Sequence, residues 1–167
     1  MAPNVCCFIG NKNMTPTDEL ITMLTKRIET LITDRGVGTF LFGSKSRFDD
    51  LCLELVTRLK QKHPHIKRVY VRAEYQYIDD DYMSYLLTLY DHSYYPDRVH
   101  PGRAAYVQRN QVMIDSSDIC IFYHHPSSAP NARRSGTSIA LNYAVKRKKE
   151  IILFPNELTE GAEQENQ

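Results

Sequence analysis

Short apolar runs alternate with longer segments of helical periodicity along most of this chain. The runs Val5–Ile9, Thr39–Phe42, Arg68–Val71, Asp118–Tyr123 and Glu150–Phe154 predict buried strands. Between them, apolar residues recur three or four positions apart, which predicts helices with one buried face. Nearly all-apolar strands that alternate with helices are typical of a parallel sheet covered on both faces. We therefore predict an α/β fold, a single doubly wound, Rossmann-like parallel sheet with helices on both faces.

The segment 73–102 departs from this alternation. It carries seven of the eleven tyrosines, two prolines and the three consecutive aspartates Asp79–Asp81. A helix is expected from Asp80 to Leu89, with loops on either side. The aspartates favour a helix start over a cation site. The tyrosines indicate packing or an interface, with stacking against a base as the alternative for Tyr75 and Tyr77.

The turns after the strands are the predicted site. In a doubly wound fold, ligands bind beyond the carboxyl ends of the strands, near the point where the strand order reverses. The most informative segment is Asn131–Val145, where a Gly-Thr-Ser turn opens a helical pattern after an apolar strand. Unpaired N–H groups and the dipole of such a helix favour a phosphate. The alternative is that the glycine only permits a tight turn.

The candidate ligand residues share a position in these turns, or on a helix expected to begin near the same edge of the sheet. The candidates for binding a phosphate or the rest of the ligand are Gly10, Asn11, Lys12, Gly43, Ser44, Lys45, Arg47, Arg109, Asn110, Arg133, Arg134, Ser135, Gly136, Thr137 and Ser138. Glu74 and Tyr75, after the third strand, are candidates for contacts with a base or a ribose. For Arg109 the alternative is a structural role, either in an ion pair with Asp115 or on a solvated helix face.

Composition and charge narrow the possible function classes. The 167 residues are 42% hydrophobic and 25% charged, as in ordinary globular proteins. The net charge is +1, and the residues after Phe154 include four Glu but no Lys or Arg, so the rest carries about +5. That charge suits a small anionic ligand and is too weak to indicate duplex DNA. We expect one domain over residues 1–155 and a disordered acidic tail over 156–167.

Neither a membrane nor a metal is indicated by the sequence. No apolar run is long enough to cross a bilayer and no signal peptide is evident, so a cytoplasmic location is expected. The four cysteines lie within apolar patterns and are expected to be reduced core residues: Cys6, Cys7, Cys52 and Cys120. Cys120 is followed by His124 and His125, but no second group has ligand spacing, so we expect no metal and no other cofactor.

Four motifs in the turns and helices form a recognisable set. They are Cys6-Cys-Phe-Ile-Gly-Asn-Lys12, Gly43-Ser44 with Asp49 or Asp50 starting the next helix, Arg109-Asn-Gln-Val-Met-Ile-Asp115, and Ser135-Gly-Thr137 with Tyr143-Ala144. Over about residues 4–154 this set resembles the SLOG superfamily, a Rossmann-like group that includes the lonely-guy phosphoribohydrolases and the DNA-processing Smf/DprA proteins. Within it, the likeness is greatest to the small bacterial YpsA/YoqJ-like branch.

The resemblance implies a nucleotide or a nucleotide-derived small molecule as the partner. SLOG domains also resemble ligand-sensing modules of bacterial anti-phage systems, which implies an NAD-derived or cyclic ADP-ribose-like signal and a role in phage defence or counter-defence. It further implies a homo-oligomer, either a dimer or a tetramer. Neither a nucleic acid nor a membrane is the expected partner.

One departure from the resemblance concerns catalysis. In lonely-guy enzymes, a glutamate three positions after the Gly-Thr pair takes part in cleaving the bond between base and ribose 5-phosphate. That position is Ala140 here, and a methyl group cannot serve as an acid or a base. We therefore expect no catalytic residue and a sensor or sequestering protein rather than an enzyme. The alternatives are a nucleoside 5′-monophosphate phosphoribohydrolase, which is an N-glycosidase, and a single-stranded nucleic-acid-binding protein.

Overall fold

The structure is a computed structural model that describes residues 4–43, 45–125 and 135–155. Strands and helices alternate through these residues. The described elements are β1 (Asn4–Gly10), α1 (Asp18–Arg35), β2 (Val37–Phe42), α2 (Arg47–Lys62), β3 (Lys67–Val71), α3 (Asp80–Leu89), β4 (His92–Tyr94), α4 (Ala105–Asp115), β5 (Ile119–Tyr123), α5 (Gly136–Lys146) and β6 (Glu150–Phe154).

The strands form one parallel sheet in the order β4-β3-β2-β1-β5-β6. The chain moves outward from β1 to β4 and then returns to β5 on the other side of β1, so the strand order reverses between β1 and β5. Residues of α1 and α2 pack with Cys6 and Phe8 on one face of the sheet. Residues of α4 and α5 pack with Cys7 and Ile9 on the other face. The predicted doubly wound, Rossmann-like α/β fold is confirmed.

Side-chain caps fix where four of the helices begin. Thr17, Ser46, Asp79 and Ser135 each accept a hydrogen bond from the backbone N–H three residues later, at the start of α1, α2, α3 and α5. At the other end of α1, Gly36 has a φ of 67°, the left-handed conformation that favours glycine after a helix. The caps place the turns before α2 and α5 at the carboxyl edge of the sheet.

Strand β4 is not predicted from the sequence, which indicates a loop at that point. Its three residues, His92, Ser93 and Tyr94, show no apolar run, and only Ser93 is buried. The strand forms because its backbone pairs with β3, with His92 opposite Val69 and Tyr94 opposite Val71. Backbone hydrogen bonding therefore determines this edge strand, whereas hydrophobic burial determines the central ones.

The cysteines lie in the core, as predicted. All four are buried and free, and burial raises the pKa of Cys6 and of Cys52 well above the usual value for a thiol. Within the described ranges, no three His, Cys, Asp or Glu side chains are grouped so that they could hold a metal ion. In the same ranges, no helix is both long enough and apolar enough to cross a membrane.

Gly10 allows β1 to approach the core closely. A Cβ added at Gly10 would lie about 2.6 Å from the Cβ and Cγ of Phe48, whose side chain is fully buried. We expect Gly10→Ala to lower the free energy of unfolding by about 1–3 kcal/mol, because the phenyl ring has no free space to move into. Urea denaturation would measure the change. Gly136→Ala is the control, since no described atom lies within 4 Å of a Cβ built there; equal stabilities of the two variants would contradict this account.

Candidate functional site

A cleft of about 530 Å³ opens at the carboxyl edge of the sheet, where the strand order reverses. This volume is within the usual range for small-molecule sites, about 300–1,000 Å³. Its described walls are the turns after β1, β2 and β3, the first turns of α4, and the beginning of α5. The described residues that line it are Ile9, Gly10, Asn11, Lys12, Asn13, Gly43, Lys45, Ser46, Tyr70, Glu74, Tyr106, Arg109, Asn110, Ser135, Gly136 and Thr137.

Most of the predicted ligand residues lie in this one cleft. The structure brings together Gly10, Asn11, Lys12, Gly43, Lys45, Glu74, Arg109, Asn110, Ser135, Gly136 and Thr137. Three further candidates, Ser44, Arg133 and Arg134, lie outside the described residues. Separate turns thus converge as the fold rule requires.

Three predicted residues do not line the cleft. Arg47 is exposed at the start of α2. Its backbone N–H donates to the carbonyl of Lys12, which lines the cleft, at 3.0 Å. The hydroxyl of Ser138 donates to the Ser135 carbonyl at 3.1 Å, so this side chain turns back onto its own helix. Tyr75 lines a separate surface depression.

Arg109 is the buried cation of the cleft. Only 3% of its surface is exposed, although it is a charged residue of α4. Its Nη1 donates to the Gly43 carbonyl, its Nε donates to Asn110 Oδ1 at 3.0 Å, and its guanidinium lies 5.5 Å from the centre of the Tyr106 ring. Since a guanidinium has five N–H groups, three have no hydrogen-bond acceptor among the described residues.

Carboxylates of the described part of the protein act on the charge of Arg109 only from beyond ion-pair distance. None of the ion pairs between described residues includes it. Asp115, its predicted alternative partner, instead accepts hydrogen bonds from Arg98 at 2.9 Å and Tyr143 at 2.8 Å. Burial lowers the pKa of Arg109, and the charge of buried Asp49 acts in the opposite direction. The guanidinium still remains charged at neutral pH, so the cleft has a fixed positive centre.

The beginning of α5 supplies backbone donors. Ser135 Oγ accepts from the Ser138 N–H at 3.1 Å, which leaves the N–H groups of Gly136 and Thr137 without an acceptor in their own helix. Among the described glycines, positive φ values occur at Gly36 and Gly102 and not at Gly136. The turn therefore does not need glycine for its backbone conformation. Instead, the missing side chain leaves the backbone accessible from the cleft.

Glu74 joins three elements across the cleft. Its Oε2 accepts from Lys45 Nζ at 2.9 Å, and its Oε1 accepts from the Tyr106 hydroxyl. The hydrogen bond from Tyr106, and then that from Lys45, lower the pKa of Glu74, so the carboxylate is ionised at neutral pH. The bond to Glu74 also raises the pKa of Lys45. Lys45, predicted to bind phosphate, is thus already paired with a carboxylate.

Gly43 and Asn11 hold the elements around the cleft close together. A Cβ at Gly43 would lie 2.6 Å from Arg109 Cδ and from Met113 Sδ, so glycine lets α4 approach β2 closely. Asn11 Oδ1 accepts from the His125 N–H at 2.8 Å, and the Asn11 N–H donates to the Tyr123 carbonyl at 3.0 Å. These two bonds connect the turn after β1 with the end of β5.

Several lining residues are not predicted from the sequence. They are Ile9, Asn13, Ser46, Tyr70 and Tyr106. Tyr106 precedes Arg109 by three positions on α4, and this spacing places both side chains on one face of the helix. The spacing could therefore have identified Tyr106 as a lining residue from the sequence. Ser46 is the cap of α2, and a serine three residues before Asp49 is a detectable capping signal. Tyr70 is a strand residue without such a signal.

Ala140 cannot supply the carboxylate that the lonely-guy reaction uses, and its position is buried. It is 2% exposed and packs with Cys7, Ile9, Met113 and the other apolar residues between α5 and the sheet. A carboxylate at this position would have to replace a methyl group within that apolar layer.

Comparisons with known proteins show a likeness in fold. No family model and no curated protein sequence matches this chain. Its structure is similar to a solved structure of DNA processing protein A from Helicobacter pylori, in work on that protein's single-stranded DNA binding mode. The TM-score is 0.59 at 18% sequence identity, over 96% of this chain and 73% of that one. The chain therefore has a Rossmann-like fold that is distantly similar to that of DNA processing protein A.

Proposed function

We propose that the cleft binds the phosphate of a nucleotide or nucleotide-derived small molecule and does not cleave it. The observation that carries this proposal is Arg109, a buried cation with three N–H groups unused by described residues and no ion pair among them. Burial of a charge costs several kcal/mol, of which the contacts with Gly43, Asn110 and Tyr106 offset a part, and a bound anion would offset more. Gly136 and Thr137 line the same cleft, and their backbone N–H groups would provide further donors to a phosphate.

The first ligand class to test is the NAD-derived and cyclic ADP-ribose-like signals, for which the support is the sequence resemblance. The same resemblance is the basis for a sensor or sequestering role in phage defence or counter-defence. The geometry adds that such a ligand needs at least one anionic group, placed between Arg109 and the start of α5.

Catalysis is the less favoured alternative because of the state of Glu74. This carboxylate lies in the cleft, but a general acid needs a pKa near the working pH, and the pKa of Glu74 is lowered by the hydrogen bonds from Tyr106 and Lys45. The position of the lonely-guy glutamate, Ala140, is buried in the core. Ligand binding without turnover is the behaviour that these residues favour.

We expect the protein to bind at least one ligand of a defined panel and to return it intact. The panel comprises nucleoside 5′-monophosphates, NAD, ADP-ribose and cyclic ADP-ribose isomers. Bound ligand is measured by equilibrium dialysis, and all species are then separated by chromatography after the protein is denatured. Mass spectrometry of material that co-purifies with the protein would identify a natural ligand.

Multiple-turnover release of free base or ribose phosphate would contradict this expectation and favour the phosphoribohydrolase. Glu74→Gln is then the informative variant, because it keeps the size of the side chain and removes its charge. The likeness to DNA processing protein A favours a different alternative, single-stranded nucleic-acid binding. Binding of long oligonucleotides with a steep salt dependence, and of none of the small ligands, would establish that alternative instead.

A further inference from the structure

A second depression, of about 350 Å³, begins one residue beyond Glu74. Its described lining consists of Tyr75, Tyr77, Ile78, Asp79 and Tyr82, which we call the tyrosine shelf. Consecutive Cα atoms are about 3.8 Å apart, so the backbone of Glu74, which lines the cleft, directly adjoins the shelf. The two depressions are therefore neighbours along the turn between β3 and α3.

Two of the shelf tyrosines are unusually exposed for aromatic residues. Tyr77 is 87% exposed and Tyr75 is 64% exposed. Tyr75 also has a φ of 57°, in the left-handed region that is unfavourable for a residue with a side chain. A strained backbone that leaves most of an aromatic ring in solvent gains little burial for folding, and a binding role accounts for it.

The rings of the shelf are partly fixed. The Tyr82 ring meets the Tyr75 ring edge to face, with centroids 6.1 Å apart, and stacks with Tyr85 at 6.3 Å. The Tyr82 N–H donates to Asp79 Oδ1 at 2.8 Å, which anchors the start of α3. The pKa of Lys45 in the cleft is raised mainly by its hydrogen bond to Glu74, and Tyr82 of the shelf adds a small contribution.

We propose that the tyrosine shelf holds the nucleobase of the ligand whose phosphate lies beside Arg109, an inference that rests on the proposed function. Every base has a π-face that can stack on a tyrosine ring. Glu74 lines the cleft and directly precedes Tyr75 of the shelf, and a carboxylate accepts hydrogen bonds from sugar hydroxyls. The binding site thus extends from the cleft, across Glu74, to the shelf.

The charges around the shelf favour a single nucleotide unit over a strand. Asp79 lines the shelf, Asp80 and Asp81 are in the first turn of α3, and Glu74 directly precedes Tyr75. These carboxylates would repel the successive phosphates of a polynucleotide that left the cleft in this direction. A base and its sugar carry no phosphate charge and fit this acidic surface.

The test compares ligands that differ only by the base. Calorimetry with ribose 5-phosphate, 5′-AMP and 5′-UMP would be carried out on the wild type and on a Tyr75→Gly, Tyr77→Ala double variant. Both rings are exposed and glycine suits the φ of Tyr75, so the variant should fold. The control is Leu87→Ala, which removes an exposed apolar side chain of α3 that lines neither depression.

We expect the wild type to bind at least one nucleotide about tenfold or more tightly than ribose 5-phosphate, because stacking stabilises the base. The double variant should lose most of that ratio while its affinity for ribose 5-phosphate is unchanged, and Leu87→Ala should keep the ratio. The proposed base site would be contradicted if the double variant still preferred a nucleotide over ribose 5-phosphate. It would also be contradicted if the wild type bound all three ligands with equal affinity. Absence of binding to all three would contradict the shelf, and it would contradict the phosphate site as well if no other ligand of the panel bound.

Discussion

Gly136→Val is expected to reduce the affinity for a phosphate-bearing ligand by more than about 100-fold, because it blocks backbone donors that only a glycine exposes. Hydrogen bonds to a charged group contribute about 1.5–3 kcal/mol each, and the N–H groups of Gly136 and Thr137 would both be obstructed. The first residue of α5 has no described atom within 4 Å of an added Cβ, so the new side chain enters open space at the cleft.

The fold should tolerate this substitution. Gly136 has no left-handed backbone conformation, and unfolding by urea should change by less than about 1 kcal/mol, the range of helix propensities. The control is Gly136→Ala, which adds one methyl group and should reduce the affinity less than valine does. Binding would be measured by calorimetry with the tightest ligand of the panel, and an unaltered affinity in folded Gly136→Val would remove α5 from the proposed site.

The second large effect is expected at Arg109. Arg109→Ala should weaken ligand binding by about 1.5–3 kcal/mol, which corresponds to roughly 10- to 150-fold, through loss of charge-assisted bonds. Arg109→Lys should fall between alanine and the wild type, because lysine keeps the charge but not the planar group that bonds Gly43 and a ligand together. Calorimetry and thermal unfolding of the same samples would separate binding from stability.

A structural role for Arg109 makes a different prediction. In that case Arg109→Ala would lower the unfolding temperature through the lost contacts with Gly43 and Tyr106, while the affinity of the folded protein would change less than threefold. That outcome would show that Arg109 does not contribute to ligand binding, which would contradict the proposed function.

Much of the fold could be predicted from this sequence because its strands are apolar over their whole length. A buried strand such as β5 produces a continuous signal, and the parallel arrangement follows from the helices between strands. Strand β4 gives no such signal, since its pairing is a property of the backbone at the edge of the sheet. The convergence of the turns follows from the fold alone, which is why residues as distant in sequence as Gly10 and Gly136 could be assigned to one edge.

Side-chain direction could not be predicted in the same way. Arg47 and Lys45 occur in one turn, yet Arg47 lies outside the cleft because α2 begins there and turns its side chain to solvent. Ser138 does not line the cleft, and its hydroxyl instead donates to the Ser135 carbonyl at the start of its own helix. Glu74 illustrates the opposite case: its position was predictable, but its bonds to Tyr106 and Lys45 depend on three elements that are far apart in sequence.

The two outer strands of the sheet also bear on how copies of this protein can associate. At one edge, β4 has only three residues and exposes polar His92, so it offers few unpaired backbone groups to another chain. At the other, β6 begins at Glu150, which pairs with Arg35, and is followed by Pro155, which has no N–H to donate. Edge-to-edge joining of sheets, the first step towards aggregation, is disfavoured on both sides. Among the described residues, helix surfaces therefore suit self-assembly better than the strand edges do.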